Sequence, residues 1–248
     1  MTTWRLEWLR LLRTRRWLVL AGPFVFFGMA GPISIHYLPQ LLASEFGETA
    51  FKLPKPIPAQ GMAEYAEQIS GIGLIIVVAA AAGALCIDAT PTLATFYRTR
   101  IASVRTLLVP RYAVIALAAV ISFAVGTLAA WYETTVLLGR VSASDVAVAT
   151  AFGGLYLLFA VAVVAFASSL VRSTLATVGV ALSLLFLLPI LGIYPPAGRV
   201  LPSALAGAFG AIVLGGEAGA FLRPALLTMV LIPLLLALAV RGYDRREV

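Results

Sequence analysis

Six runs of apolar residues, each seventeen or more long, set the limits on what this chain can fold into. Crossing a bilayer as a helix takes about 20 apolar residues. The runs at 17–37, 69–87, 112–132, 147–170, 175–194 and 224–240 meet that length. Composition agrees: 61% of the 248 residues are hydrophobic and 12% charged, against roughly half and a quarter in a soluble domain. The expectation is an all-α integral membrane protein, a single transmembrane domain of six helices over residues 1–248.

Residues 1–16, MTTWRLEWLRLLRTRR, are too charged to span. At 100° per residue, Trp4, Trp8, Leu11 and Leu12 share one arc, and Glu7, Arg10, Arg13 and Thr14 lie opposite. This predicts an amphipathic interfacial helix, with Trp4, Trp8, Arg10, Arg13, Arg15 and Arg16 as membrane anchors near anionic headgroups. A signal-peptide start is the competing reading; the following apolar run is long and has no small-x-small cleavage pattern.

Orientation follows from the cations. With the N-terminus inside, thirteen arginines fall on the cytoplasmic side: five in residues 1–16, then Arg98, Arg100, Arg105, Arg111, Arg172, Arg241, Arg245 and Arg246. Only Lys52, Lys55, Arg140, Arg199 and Arg223 fall outside. Excess Lys and Arg marks the cytoplasmic face, so both termini are expected there. Trp17, Tyr112 and Tyr243 then mark one headgroup level, and Tyr37, Trp131, Tyr132 and Tyr194 the other. Tyr156 alone falls mid-segment. The +7 net charge belongs to these flanks rather than to a nucleic-acid surface.

Three connections stand out. Residues 38–68, with Pro39, Pro54, Pro56 and Pro58, read as an extended external connector ending in a short helix at 62–68. Residues 200–221 are apolar but Gly-rich and broken by Pro202 and Glu217. A seventh span there would put the terminal arginines outside, so a re-entrant extracellular hairpin is expected. Residues 88–110 form the longest cytoplasmic loop. Thr90-Pro91 suits a helix start, and Leu93, Phe96, Tyr97, Ile101 and Val104 recur at helical spacing.

Little in the chain suggests catalysis. Its two lysines, Lys52 and Lys55, sit in the external loop, so no Walker-type phosphate loop is possible. One cysteine, Cys86, cannot form an internal disulfide, and one histidine, His36, cannot build a bis-His site. His36 reads as an interfacial polar residue. No ionisable residue falls at mid-depth of the six segments, which argues against ion-coupled transport. Gly71, Ile75, Ala79 and Gly83 share one i, i+4 line and are expected to be a packing face; a subunit or substrate interface is the alternative. Phe24, Phe26, Phe27, Phe159, Phe166 and Phe186 would line a greasy pathway or face lipid.

The whole layout resembles the membrane subunit of ABC-2 type transporters. The elbow Trp4–Arg16 runs directly into the first span, and the loop between spans two and three carries Asp88, Thr92-Leu93, Arg98 and Arg100. Pro91 stands where the family has Gly, and Arg98-Thr99-Arg100 replaces its Pro-Ser-Arg. The stretch before span six matches the family's re-entrant helices. The resemblance implies a permease of the bacterial inner membrane, without an ATPase motif of its own, that exports a hydrophobic or amphipathic molecule. It would pair with a second copy or a related permease and dock an ATP-binding subunit carrying ATP and Mg. Residues 88–110 would be the coupling loop, with Asp88, Thr92, Leu93, Tyr97, Arg98, Arg100 and Arg105 in it and Arg172 as a second contact. A membrane-embedded enzyme using His36, or a non-transporting partner or immunity subunit, are the other readings.

Overall fold

The computed structural model describes residues 3–46, 56–87 and 103–245, and every element among them is helical. An elbow helix α1 (Thr3–Arg13) turns at Arg15, whose φ is 52°, into α2 (Arg16–Phe46). Next come α3 (Pro58–Gln68), a π-helical turn at Ile69–Gly73 and α4 (Leu74–Leu85), running as one rod. Three long elements follow: α5 (Arg105–Leu137), α6 (Ala143–Leu170) and α7 (Thr174–Leu191). Short pieces lead to the last span: α8 (Pro195–Gly198), a 3-10 turn at Pro202–Ala206, α9 (Ala208–Val213) and a second 3-10 turn at Ala218–Phe221. The chain closes with α10 (Leu222–Asp244).

Six of these rods are long and apolar enough to cross a membrane: Arg16–Leu41, Pro58–Leu85, Arg105–Leu137, Ala143–Leu170, Thr174–Leu191 and Ala218–Asp244. Local chemistry sets several boundaries. Ser142 and Ser173 cap α6 and α7, their hydroxyls accepting from the Asp145 and Ala176 amides. The Gln60 side chain accepts from the Ile57 amide at 3.0 Å just as Pro58 opens α3. Pro23, Pro32 and Pro39 stay inside α2, as proline is tolerated in membrane helices when neighbours re-satisfy the freed backbone groups.

The rod α6 runs through the middle, touching α4, α5, α7, α9 and α10. Its residues 160–165 are all buried, and they are only alanine and valine, three of each, so that neighbours can come close. The tightest crossing joins α2 to α5, where Gly28 and Gly126 face each other. A Cβ on Gly126 would lie 2.5 Å from the Phe24 carbonyl oxygen and 2.6 Å from the Tyr65 hydroxyl. Only glycine allows that approach.

Several expectations need correction. The second span starts at Pro58 rather than residue 69, because Met62, Tyr65, Ala66 and Ile69 form a buried i, i+3, i+4, i+7 stripe. Tyr65 is therefore a core residue, donating to the Phe123 carbonyl at 3.2 Å. Residues 105–110, expected as loop, are the first turns of α5. The line Gly71, Ile75, Ala79 and Gly83 is exposed, with open space around both glycines, so it is not an internal packing face. Of the phenylalanines, Phe24 and Phe159 are core, while Phe26 and Phe186 are exposed.

Residues 200–221 add no seventh rod, since their helical pieces are no longer than six residues. They pack inward instead. Leu205, Ala208, Phe209 and Ile212 are buried, and Phe209 meets the rings of Tyr65 and Phe123 edge-on at 5.9 and 5.8 Å. The Ser70 hydroxyl, which donates to the Ala66 carbonyl at 2.8 Å, also reaches the Ala206 carbonyl at 3.2 Å, so this segment meets the π-turn.

Candidate functional site at the arginine-rich end

Four long-range polar contacts gather the helix ends at one pole of the bundle. Arg111 Nε donates to Glu7 Oε1 at 2.9 Å, tying the elbow to the start of α5. Arg16 Nη1 donates to the Gly83 carbonyl at 3.2 Å, tying the start of α2 to the last turn of α4. The Tyr243 hydroxyl donates toward the Ser168 Oγ at 3.0 Å and the Leu85 carbonyl at 3.2 Å, one proton shared between the two acceptors. The tails of α10, α4 and α6 thus meet there. Each contact also supplies an acceptor or a charge that low dielectric demands.

Ten of the thirteen arginines among the described residues belong to this pole: Arg5, Arg10, Arg13, Arg15, Arg16, Arg105, Arg111, Arg172, Arg241 and Arg245. Arg140, Arg199 and Arg223 belong to the other. The pole is thus a basic platform. The segment between α4 and α5 begins and ends on it, and the contacts at Gly83, Leu85 and Arg111 hold both of its feet.

The expected coupling residues Asp88, Thr92, Leu93, Tyr97, Arg98 and Arg100 lie outside the described residues. Arg105, in the first turn of α5, and Arg172, in the turn between α6 and α7, are both exposed on the platform. Among the expected anchors, Trp4 and Trp8 are 46% and 37% exposed, and Arg13 and Arg15 are exposed as well. Arg10 and Arg16 differ, being partly buried where α1 meets the bundle.

The elbow turns inward only the Leu11 edge of its apolar arc, together with Glu7. Leu11 is the residue α1 buries, and Glu7, one turn back and assigned to the polar side, points the same way toward Arg111. The tryptophans turn outward, where an interfacial ring gains most. The reason is electrostatic: the Arg111 side chain is only 4% exposed, and an unpaired buried guanidinium would be costly. Sequence reasoning missed Glu7, and it counted Arg111 and Tyr243 merely as flank residues. One signal was available: Glu7 is the lone acid among five arginines, and Arg111 borders an apolar run.

His36, near the far pole, packs edge-on against Tyr37 at 4.8 Å. Among the described residues no group of three or more His, Cys, Asp or Glu is placed to hold a metal.

The fold and this pole define a helical, multi-pass membrane protein. No family model matches the chain, and no curated protein matches it either.

Proposed function

We propose that the chain is the permease subunit of an ABC-2 type exporter in a bacterial inner membrane. It moves a hydrophobic or amphipathic molecule with ATP hydrolysed, on Mg, by a separate subunit docked at the arginine-rich pole. In this reading that pole is cytoplasmic, both termini lie there, and residues 200–221 re-enter from the outside without crossing. The inward packing of Leu205 and Phe209 and the ten-to-three split of described arginines support that sidedness.

The observation that carries the reading is the clamping of both feet of the α4–α5 connection. A coupling element must pass force to the helices without slack. Feet held at Gly83, Leu85 and Arg111 meet that need. The exposed small-residue line Gly71–Ala79–Gly83 supports pairing with a second permease, since such lines let helices approach closely in lipid.

The test is gentle purification of the tagged chain from its native host, followed by intact-complex mass. A soluble ATP-binding subunit in one-to-one ratio with the chain is the expected result, and the mass separates a homodimer from a heterodimer. Purification with no ATPase refutes the proposal. Within the complex, Arg98→Glu with Arg100→Glu should abolish transport while leaving insertion intact; unchanged transport removes the coupling role.

A further inference from the structure

At the pole away from the arginine-rich end, a half-open cleft of about 540 Å³ lies where α8, the two 3-10 turns and the start of α10 meet. That is room for a small molecule, whose sites span roughly 300–1,000 Å³. Three charged side chains line it: Arg199 just after α8, Glu217 at the head of the second 3-10 turn, and Arg223 in the first turn of α10. All three are exposed, and none makes a side-chain hydrogen bond or ion pair with another described residue. Two cations and an acid thus share one cleft without neutralising each other. Glu217 makes no cap bond to its own turn, and α10 begins with no side-chain cap. The positive end of α10 therefore adds to the two guanidiniums. Phe221 and Pro224 supply apolar wall.

We infer that this cleft binds the headgroup of an amine-bearing phospholipid of the phosphatidylethanolamine type, its phosphate on Arg199 and Arg223 and its ammonium on Glu217. Only a zwitterion answers both signs of charge. Guanidinium groups suit phosphate oxygens through paired donors, and a primary ammonium carries three donors for a carboxylate. Depth selects the lipid: the cleft opens at the head of the last span, Ala218–Asp244, which is the level of the headgroups. The site is distinct from general anchoring, because Arg140, the third arginine of this pole, is exposed and does not line the cleft.

Occupancy would bridge the segment 200–221 to the start of the last span. The inference needs neither transport nor an ATP-binding partner, so it stands or falls separately from the permease reading.

The test is native mass spectrometry of the purified, delipidated protein titrated in turn with phosphatidylethanolamine, phosphatidylglycerol and phosphatidylcholine. Diffuse attraction to basic residues favours phosphatidylglycerol, which carries the net negative charge. The cleft should instead favour phosphatidylethanolamine over both others by about fivefold, the scale of one charge contribution at a membrane surface. Arg199→Gln with Arg223→Gln should weaken phosphatidylethanolamine binding about thirtyfold, while Arg140→Gln should leave it within about twofold. Glu217→Gln should erase the preference over phosphatidylglycerol and keep binding itself. None of the three side chains holds another described residue in place, so these variants keep the fold. Tighter binding of phosphatidylglycerol, or a preference that survives Glu217→Gln, overturns the inference. Free phosphoethanolamine binding as tightly as the lipid would mean a soluble ligand, and displacement of the lipid by millimolar inorganic phosphate would mean a plain anion site; both overturn it.

Discussion

Glu7 and Arg111 stand 104 residues apart in the chain and 2.9 Å apart in space. This pair converts the elbow from a loose interfacial helix into a strut against α5. Removing the carboxylate leaves a guanidinium that is 4% exposed without that partner. Glu7→Ala should cost about 2 kcal/mol, the scale of a hydrogen bond between charged groups, because Glu7 itself keeps 15% exposure and Arg111 keeps a further interaction. In a chain of this length that lowers the thermal midpoint in detergent by about 6 °C. A change of under about 1 °C would mean the pair is solvated and contributes little.

The α2–α5 crossing makes a prediction about glycines that look alike in the sequence. Gly126→Ala should destabilise by about 1–3 kcal/mol through overpacking, since the new methyl would sit 2.5 Å from the Phe24 carbonyl oxygen. Gly71→Ala and Gly83→Ala meet nothing within 4 Å and should be neutral or gain up to about 1 kcal/mol. Comparing the three midpoints checks the assignment of which glycines pack. A Gly71→Ala protein as unstable as Gly126→Ala would contradict it, unless its oligomeric state had changed as well.

Tyr243 joins the tails of three helices through one hydroxyl. Tyr243→Phe keeps the ring but removes the donor that the Ser168 Oγ and the Leu85 carbonyl share. The expected loss is about 1–2 kcal/mol. It should appear as faster hydrogen exchange at the ends of α4 and α6 while the far pole is unchanged. Exchange that rises evenly over the bundle would argue against a local lock.

Sidedness is open to direct labelling. The single native thiol, Cys86, is buried and gives a low background. On intact cells, a membrane-impermeant maleimide should label Arg140→Cys and Glu217→Cys. Arg172→Cys and Arg245→Cys should react only after permeabilisation. Labelling of Arg172→Cys from outside would reverse the orientation.

Much of this molecule is legible from hydropathy alone. Six spans, the elbow and the irregular stretch before the last span all follow from run length, proline and charge, because lipid requires each spanning backbone to satisfy its own hydrogen bonds. The starts of the second and third spans were less legible. Tyr65 and Glu64 look like loop residues until Met62, Tyr65 and Ala66 are seen to face a core, and hydropathy averages that stripe away. Residues 105–110 read as loop because their arginine and proline resemble a break.

The candidate site divides the same way. That arginines crowd one pole was determined by the sequence, since charge cannot be left in hydrocarbon. Which arginines do more than face water or headgroups was decided by tertiary structure. Arg111 meets Glu7 and Arg16 meets Gly83 only because four helices converge there, while Arg13 and Arg15, in the same run of sequence, point away. Helix-forming patterns are local and repeat every few residues. Pairings between helices depend on which small residues let two rods touch, and Gly28 against Gly126 shows this where Gly71 and Gly83 do not.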